Sequence, residues 1–380
     1  MWGDCPAGLA ALAKQDNPRA LKEFIAAAGQ GDACSQFHLG VMYEQALGVP
    51  QDYKETLKWY RLAASQGYAE AQRNLGLMYA DGEGVARDYS EAAMWFRLAA
   101  DQGDAEAQYN LGLLNHKGQR IPRDDNEALK WFRLAASQGY AEAQYNLGVM
   151  YHEGQGVTRD SKEAFRWLRL AATQGDARAQ ANLGVMYVDG EGVPQDYKEA
   201  LKLFRLAADQ GDAQAQFGIG DMYDEGQGVP QDHIEAFKWY RLAAAQGDDQ
   251  ARQVLPSLYK ESLEWLRTEA EHGVAMAQSG LGMVYAQGLG VPEDIKEAIK
   301  WWRLAANQGD TEAQASLGFV SESGTGVVQD YVQAYLWYSL IVADYPDNTN
   351  AVAGLQAVTK RMTPAQISEA KALVRNWKPK

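Results

Sequence analysis

Apolar positions along the stretch from Ala69 to Asp104 fall into two helical stripes separated by a glycine-rich break. In A-E-A-Q-R-N-L-G-L-M-Y, residues Ala71, Leu75, Met78 and Tyr79 fall at i, i+4, i+7 and i+8, one face of an amphipathic helix rather than the alternation of a strand. This is helix A. The segment D-G-E-G-V ends it, because glycine tolerates the left-handed backbone that stops a helix and turns the chain. Val85 is placed to plug the corner. A second helix, B, opens at Asp88-Tyr-Ser-Glu91, where the acid can cap the first amides and the carboxylate three residues on can reach back, a capping box. The apolar run E-A-A-M-W-F-R-L-A-A then leads to Gln102-Gly103, and Asp104 stands ready to cap the next helix.

Nearly all of the remaining chain repeats this unit. Its Leu-Gly pair, Leu75-Gly76, recurs from Leu39-Gly40 through Leu111, Leu147, Leu183 and Ile219 at a step of 36 residues, and returns at Leu281-Gly282 and Leu317-Gly318. The tryptophan of helix B keeps step at Trp59, Trp95, Trp131, Trp167 and Trp239, then Trp265, Trp301 and Trp337, with Leu203 the interruption. A glycine amid a helical pattern costs propensity, so Gly76 and its copies mark places where a neighbouring helix crosses closely. Hairpins of two helices, each roughly 13 residues and about 20 Å long, are too short to stand alone. Stacking buries their faces, and paired alanines such as Ala63-Ala64 and Ala99-Ala100 permit close approach. The expected fold is all-α, a right-handed superhelical α/α solenoid of stacked helical hairpins with helical caps.

The motifs A-x-A-Q-x-N-L-G-x-M-Y, G-x-G-V-x-x-D-Y-x-E-A and W-x-R-L-A-A-x-Q-G resemble those of the Sel-1-like repeat family, a bacterial-type branch of the tetratricopeptide-like solenoids. The likeness covers about nine tenths of the chain. It implies a fold whose concave side, lined by the A helices, binds extended peptides. The cysteine-rich branch of that family staples every repeat with a cysteine pair, which this chain does not do. Exported bacterial relatives begin much as Ala7-Gly-Leu-Ala-Ala does, which favours a periplasmic or secreted location, with the cytoplasm as alternative.

Residues 7–32 read as an N-terminal capping hairpin in which Asn17-Pro18 replaces the long loop. Six repeats of 36 residues occupy 33–248; the third departs at Asn115 and in its turn His116-Lys-Gly-Gln-Arg. Residues 249–274 form a shortened repeat, since Trp239 to Trp265 spans 26 residues and the glycine loop and capping box are missing. Pro256 suits a first helical turn, so helix A is expected to stop near Leu255 and a single helix to run from Pro256 to about Glu271. Either this irregularity kinks the solenoid or offers a docking place, or it is a degenerate repeat without a role. Two more repeats fill 275–346. Residues 347–380 supply C-terminal capping helices, the second opened by Thr363-Pro-Ala-Gln366 with Ile367, Ala370, Val374 and Trp377 on one face.

The net charge of −14 argues against nucleic-acid binding, which needs a basic face. Much of the acidity belongs to helix starts: seven Asp/Glu capping pairs, such as Asp52 with Glu55 and Asp294 with Glu297, supply fourteen carboxylates. No apolar run reaches the roughly 18 residues of a membrane span, and Met-Trp-Gly-Asp-Cys lacks the marks of a signal peptide, so no membrane insertion is expected. Cys5 and Cys34 lie near the starts of neighbouring A helices and are read as two inert thiols, with a disulfide as the alternative. His38, His116, His152, His233 and His272 show no metal-ligand spacing, and neither metal nor other cofactor is expected. S-x-x-K occurs at Ser257/Lys260 and Ser368/Lys371 without companion motifs, and the G-x-G loops follow helices rather than strands. No enzyme is implied by these patterns.

What remains is surface. The position before Leu-Gly reads Asn74, Asn110, Asn146 and Asn182 in successive repeats, and the position before that reads Arg73, Tyr109 and Tyr145. By the resemblance these seven residues lie on the concave face. The amides could clamp a peptide backbone while the rings offer stacking faces, or each Asn could bond to the neighbouring repeat as a structural ladder. The tryptophan column reads as packing between helices. The function expected is a non-catalytic scaffold or adaptor, monomeric, binding a protein or peptide partner. The alternatives are a cell-wall or β-lactam-directed enzyme and a self-assembling structural protein.

Overall fold

A computed structural model describes residues 5–118 and 122–379. The turn at Gln119 and Arg120, and the stretch from Met1 to Asp4, lie outside the described residues. Among the described residues the chain forms twenty-two α-helices and no strand. It divides between Gln210 and Gly211 into two compact units, each a stack of helical hairpins and hence an α/α solenoid. The first holds α1 (Cys5–Leu12), α2 (Asn17–Ala28), α3 (Ala33–Glu44), α4 (Tyr53–Ser65), α5 (Ala69–Asp81), α6 (Tyr89–Asp101), α7 (Ala105–Lys117), α8 (Asp125–Ser137), α9 (Ala141–Glu153), α10 (Ser161–Thr173), α11 (Ala177–Asp189) and α12 (Tyr197–Ala208). The second holds α13 (Ala213–Glu225), α14 (His233–Ala245), α15 (Asp249–Glu261), α16 (Leu263–Glu271), α17 (Ala275–Gln287), α18 (Ile295–Asn307), α19 (Thr311–Ser323), α20 (Tyr331–Asp344), α21 (Thr349–Thr359) and α22 (Pro364–Asn376).

Within a hairpin the glycine of Leu-Gly seats the ring of helix B. A Cβ on Gly76 would lie 2.5 Å from the Phe96 ring, so only a bare backbone lets α5 and α6 close. The fully buried column is therefore Tyr60, Phe96, Phe132, Phe204 and Tyr240, one residue after the tryptophans, with the alanine pairs beside it. Most of the tryptophans stand half-buried at the edge of this core. Helix A ends at a left-handed glycine, Gly82 at φ +80°, whose N–H donates to the Met78 carbonyl. Val85 packs into the corner behind it.

The acids before helix B cap as expected, but the reciprocal arm of the box is replaced. Asp88 Oδ1 accepts from the amides of Ser90 and Glu91 at 2.9 and 3.2 Å. The N–H of Asp88 donates to the Tyr79 carbonyl at 2.8 Å, so it needs nothing from Glu91. Freed of that task, the equivalent glutamates turn along the helix: Glu55 and Glu127 accept from the indoles of Trp59 and Trp131 at 3.0 and 3.1 Å. A complete box closes at Thr363 and Gln366.

Successive hairpins are tied by glutamines. Gln144, buried in α9, donates to the Ala136 carbonyl at 3.2 Å and accepts from Gln174 at 2.7 Å. The same rung recurs at Gln36, Gln72, Gln108 and Gln180, and in the second unit at Gln278, while Gln216 accepts from Gln246 at 2.9 Å. Each such carbonyl also accepts from the glycine N–H three residues on, as Ala136 does from Gly139 at 3.0 Å, so the glutamine fills the second lone pair of a helix-end acceptor.

Two expectations need correction. Cys5 and Cys34 are joined in a disulfide that staples α1 to α3, rather than standing as two thiols. Helix A of the shortened repeat does not stop at Leu255: α15 runs through Pro256 to Glu261, and α16 starts at Leu263. Leu255, Leu258 and Tyr259 are all buried on one face, and that continuing stripe carries the helix past the proline. The bend falls instead at Ser262, where a single residue replaces the glycine loop.

At the far end of the second unit, α21 and α22 pack on α20. Ala370 is buried, Ile367 packs beside Val332 and Met362, and Val374 and Trp377 cover the cluster around Trp337. No helix among the described residues is long and apolar enough to cross a membrane.

Candidate functional site

The row anticipated on the A helices of the first unit is present as a row, but its members differ in what they do. Arg73 Nη1 lies 3.0 Å from Asp104 and its Nε lies 3.3 Å from Glu106, so it bridges to the next A helix. Tyr109 lies against Phe132 and Tyr140, centroids 5.9 and 5.2 Å away, and burial raises its hydroxyl above the ordinary phenol value. Burial and then Glu142 push the Tyr140 hydroxyl up to about 12. Arg178 sits 4.3 Å over the ring of Tyr145.

The asparagines also divide. Asn74 donates to the Tyr60 hydroxyl at 3.1 Å, and Asn146 donates to the Glu142 carbonyl at 2.8 Å. Asn110 and Asn182 are half-buried and enter no side-chain hydrogen bond among the described residues. The ladder between repeats is built by glutamine two positions earlier. Its signal was the invariable Gln of A-x-A-Q, paired with the Gln of Q-G at an offset of 30 residues.

A second surface escaped the pattern reading. In R-L-A-A the two alanines are buried while the leucine faces out: Leu62, Leu98, Leu134, Leu170 and Leu206 are each about two fifths exposed. An apolar residue repeated beside two buried alanines on a short helix was the available sign.

In the second unit the arginine of that same motif behaves differently. Arg241 on α14 is 7% exposed. Its Nε donates to Glu312 at 2.9 Å, Nη1 to the Met276 carbonyl at 2.9 Å, and Nη2 to Asp310 at 3.2 Å. Burial works to lower its pKa, but Glu312, Tyr259 and Asp310 outweigh that and hold the guanidinium charged. Burial raises the Glu312 carboxyl above its usual range against the pull of Arg241. Arg241, Asp310 and Glu312 line a cavity of about 760 Å³, walled by Leu242, Met276 and Tyr345.

The S-x-x-K residues Ser257, Lys260, Ser368 and Lys371 are all exposed on helix surfaces. Cys5, Cys34 and His38 form the one cluster of candidate metal ligands among the described residues, and bonding between the two sulfurs removes both thiolates.

Helical hairpins stacked one on the next within each unit define a helical-repeat solenoid. The Sel1 repeat model matches residues 35–68, 69–104, 105–140, 141–176, 177–212, 213–248, 275–310 and 311–341. The chain belongs to the Sel1 repeat family. A Sel1 repeat protein from Oxalobacter formigenes is 31% identical with a TM-score of 0.57, covering 63% of this chain and 96% of its own. A protective antigen of uropathogenic Escherichia coli strains, displaying an SLR fold, is 32% identical over 94% of both chains, with a TM-score of 0.38. No curated protein matches. Sel1 repeat proteins generally serve as protein-interaction scaffolds without enzymatic activity.

Proposed function

We propose that the chain is a non-catalytic scaffold that holds an extended segment of a protein partner along the A-helix face of its first unit. The observation that carries this reading is the pair Asn110 and Asn182: each is half-buried on that face, with its amide donor and acceptor uncommitted. Such a group gains from a peptide backbone that offers both complements. Asn74 and Asn146, engaged internally, serve as the structural members of the row, and Tyr109, Tyr145 and Arg178 pack beside them. The Cys5–Cys34 bond supports a working place more oxidising than the cytosol.

The test is capture of partners from a lysate of the source organism by the full chain and by an Asn110→Ala/Asn182→Ala variant. Loss of a specific partner with unchanged thermal stability is the expected result. A partner retained by that variant but lost from Leu98→Ser/Leu134→Ser would move the binding face to the B helices and overturn the assignment.

A further inference from the structure

The Arg241 cavity does not end at Tyr345. A second hollow of about 640 Å³ shares Ala245, Gln246, Tyr345 and Asn348 with it and continues past Asp344 and Asp347. Together they form one groove between the end of α14, the starts of α17 and α19, and the turn from α20 to α21. The lining of this groove carries an uneven balance of charge. Arg241 faces two carboxylates, Asp310 and Glu312. Lys238 is paired with Glu235 and Arg252 with Asp249, both within their own helices. Asp344 and Asp347, both exposed, form no ion pair among the described residues. Glu312 offers a further acceptor in Oε1, because both of its hydrogen bonds from Arg241 engage Oε2.

From this we infer that the groove takes a basic stretch of a partner polypeptide, with two Lys or Arg side chains on either side of Tyr345. One cationic end meets Glu312 and Asp310 while its aliphatic stem lies along Leu242 and Met276. The other meets Asp344 and Asp347, and the exposed Tyr345 ring stands between them as a face for either cation. A cavity of this size suits side chains rather than a whole domain. The chain's net charge of −14 steers the same class of partner toward it. This rests on the scaffold reading but names a different face and a partner chemistry.

The experiment uses the full chain and a fluorescent peptide, N-acetylated and C-amidated Gly-Leu-Lys-Ala-Lys-Leu-Gly, with counterparts in which norleucine or glutamate replaces both lysines. Anisotropy titrations should show binding of the lysine peptide, weakened at least about tenfold by norleucine, since two charge contacts are lost, and further by glutamate. Asp344→Asn/Asp347→Asn, which removes exposed charges without touching the core, should weaken the lysine peptide about fivefold and flatten its salt dependence. Tyr345→Ala should weaken it as well. Equal binding of the lysine and norleucine peptides, or indifference to the Asp344/Asp347 variant, would overturn the inference. Should either occur while Asn110→Ala/Asn182→Ala still abolishes partner capture, the scaffold reading stands and this groove alone is rejected.

Discussion

Arg133 and Arg241 occupy the same place in their repeats, yet one lies on the surface and the other in a buried network. Arg133 is exposed and reaches the Tyr151 hydroxyl of the next hairpin at 2.6 Å. Arg241 is enclosed and reaches residues 35 to 71 positions ahead. A full loop between helices A and B keeps each hairpin in register with its neighbour, so the position faces solvent. Where Ser262 replaces that loop, α17 of the hairpin after next and the start of α19 in the one beyond it come within range of α14. Burying the arginine is tolerable there because Glu312 and Asp310 arrive with it. A deletion in a repeat array thus does more than shorten it: it converts an ordinary surface position into a polar site beside a groove.

The comparison is sharpest in the arginines themselves. Arg241→Ala leaves two carboxylates without their partner and should destabilise the second unit by about 3–5 kcal/mol. Arg133→Ala should leave the urea midpoint nearly unchanged. Equal shifts of the two midpoints would show that burial at Arg241 carries no energetic weight.

Next in size are the glycines. On Gly76 a Cβ meets the Phe96 ring at 2.5 Å, whereas on Gly280, on α17 beside the shortened repeat, it meets the end of the Leu266 side chain at 2.9 Å and the Tyr259 ring at 3.0 Å. Gly76→Ala should cost about 1–3 kcal/mol in overpacking, partly offset by roughly 1 kcal/mol of helix propensity. Gly280→Ala should cost less, since the leucine tip can move and the Tyr259 ring need give by only a few tenths of an ångström. Thermal melts of the two variants rank them, and the reverse order would refute the close-approach account.

The glutamine rungs come third. Gln144→Ala takes from the Ala136 carbonyl one of its two donors and from Gln174 its acceptor, about 1–2 kcal/mol. In the shortened repeat Arg252 and His272 stand where the glutamines would be, and each pairs within its own helix, with Asp249 and Glu269. Arg252→Ala should therefore be close to neutral in the same denaturation assay.

The smallest effect concerns Asp221, which accepts from the Tyr240 hydroxyl at 2.6 Å as Glu44 accepts from Tyr60 at 2.9 Å in the first unit. Burial pushes the Asp221 carboxyl up to about 6 from 3.8. The folded state then binds the proton more tightly than the unfolded state, so stability falls as pH rises from about 4 to about 6, and the deficit persists above that. Asp221→Asn should remove it and raise Tm at pH 7 relative to pH 4, an effect of about 1 kcal/mol because the group is only partly enclosed. A Tm difference that does not change with pH would contradict the shift.

The repeat length, the hairpin, the capping acids and the close approach at Leu-Gly were all legible in the residues, because each is set by contacts within one hairpin or between adjacent ones. The partners of Arg73, Tyr109 and Asn74 were not legible. Their role depends on what the neighbouring repeat presents, an acid at Asp104, a ring at Tyr140, a hydroxyl at Tyr60, and position along a face does not reveal that. Pro256 misled for a related reason: local preference favours a helix start there, while the buried stripe of Leu255, Leu258 and Tyr259 outweighs it.

By itself the sequence determined a Sel1-type stack of α-hairpins, since a period of 36 residues with helical stripes has no other way to bury its apolar faces. Tertiary structure alone decided that Cys5 meets Cys34, that glutamine rather than asparagine ties the repeats, and that Arg241 is enclosed with Glu312. These contacts join residues 29 to 71 positions apart, and their existence depends on the exact angle at which hairpins lean on one another. That angle is the sum of many weak packing preferences, none of which is written at a single position.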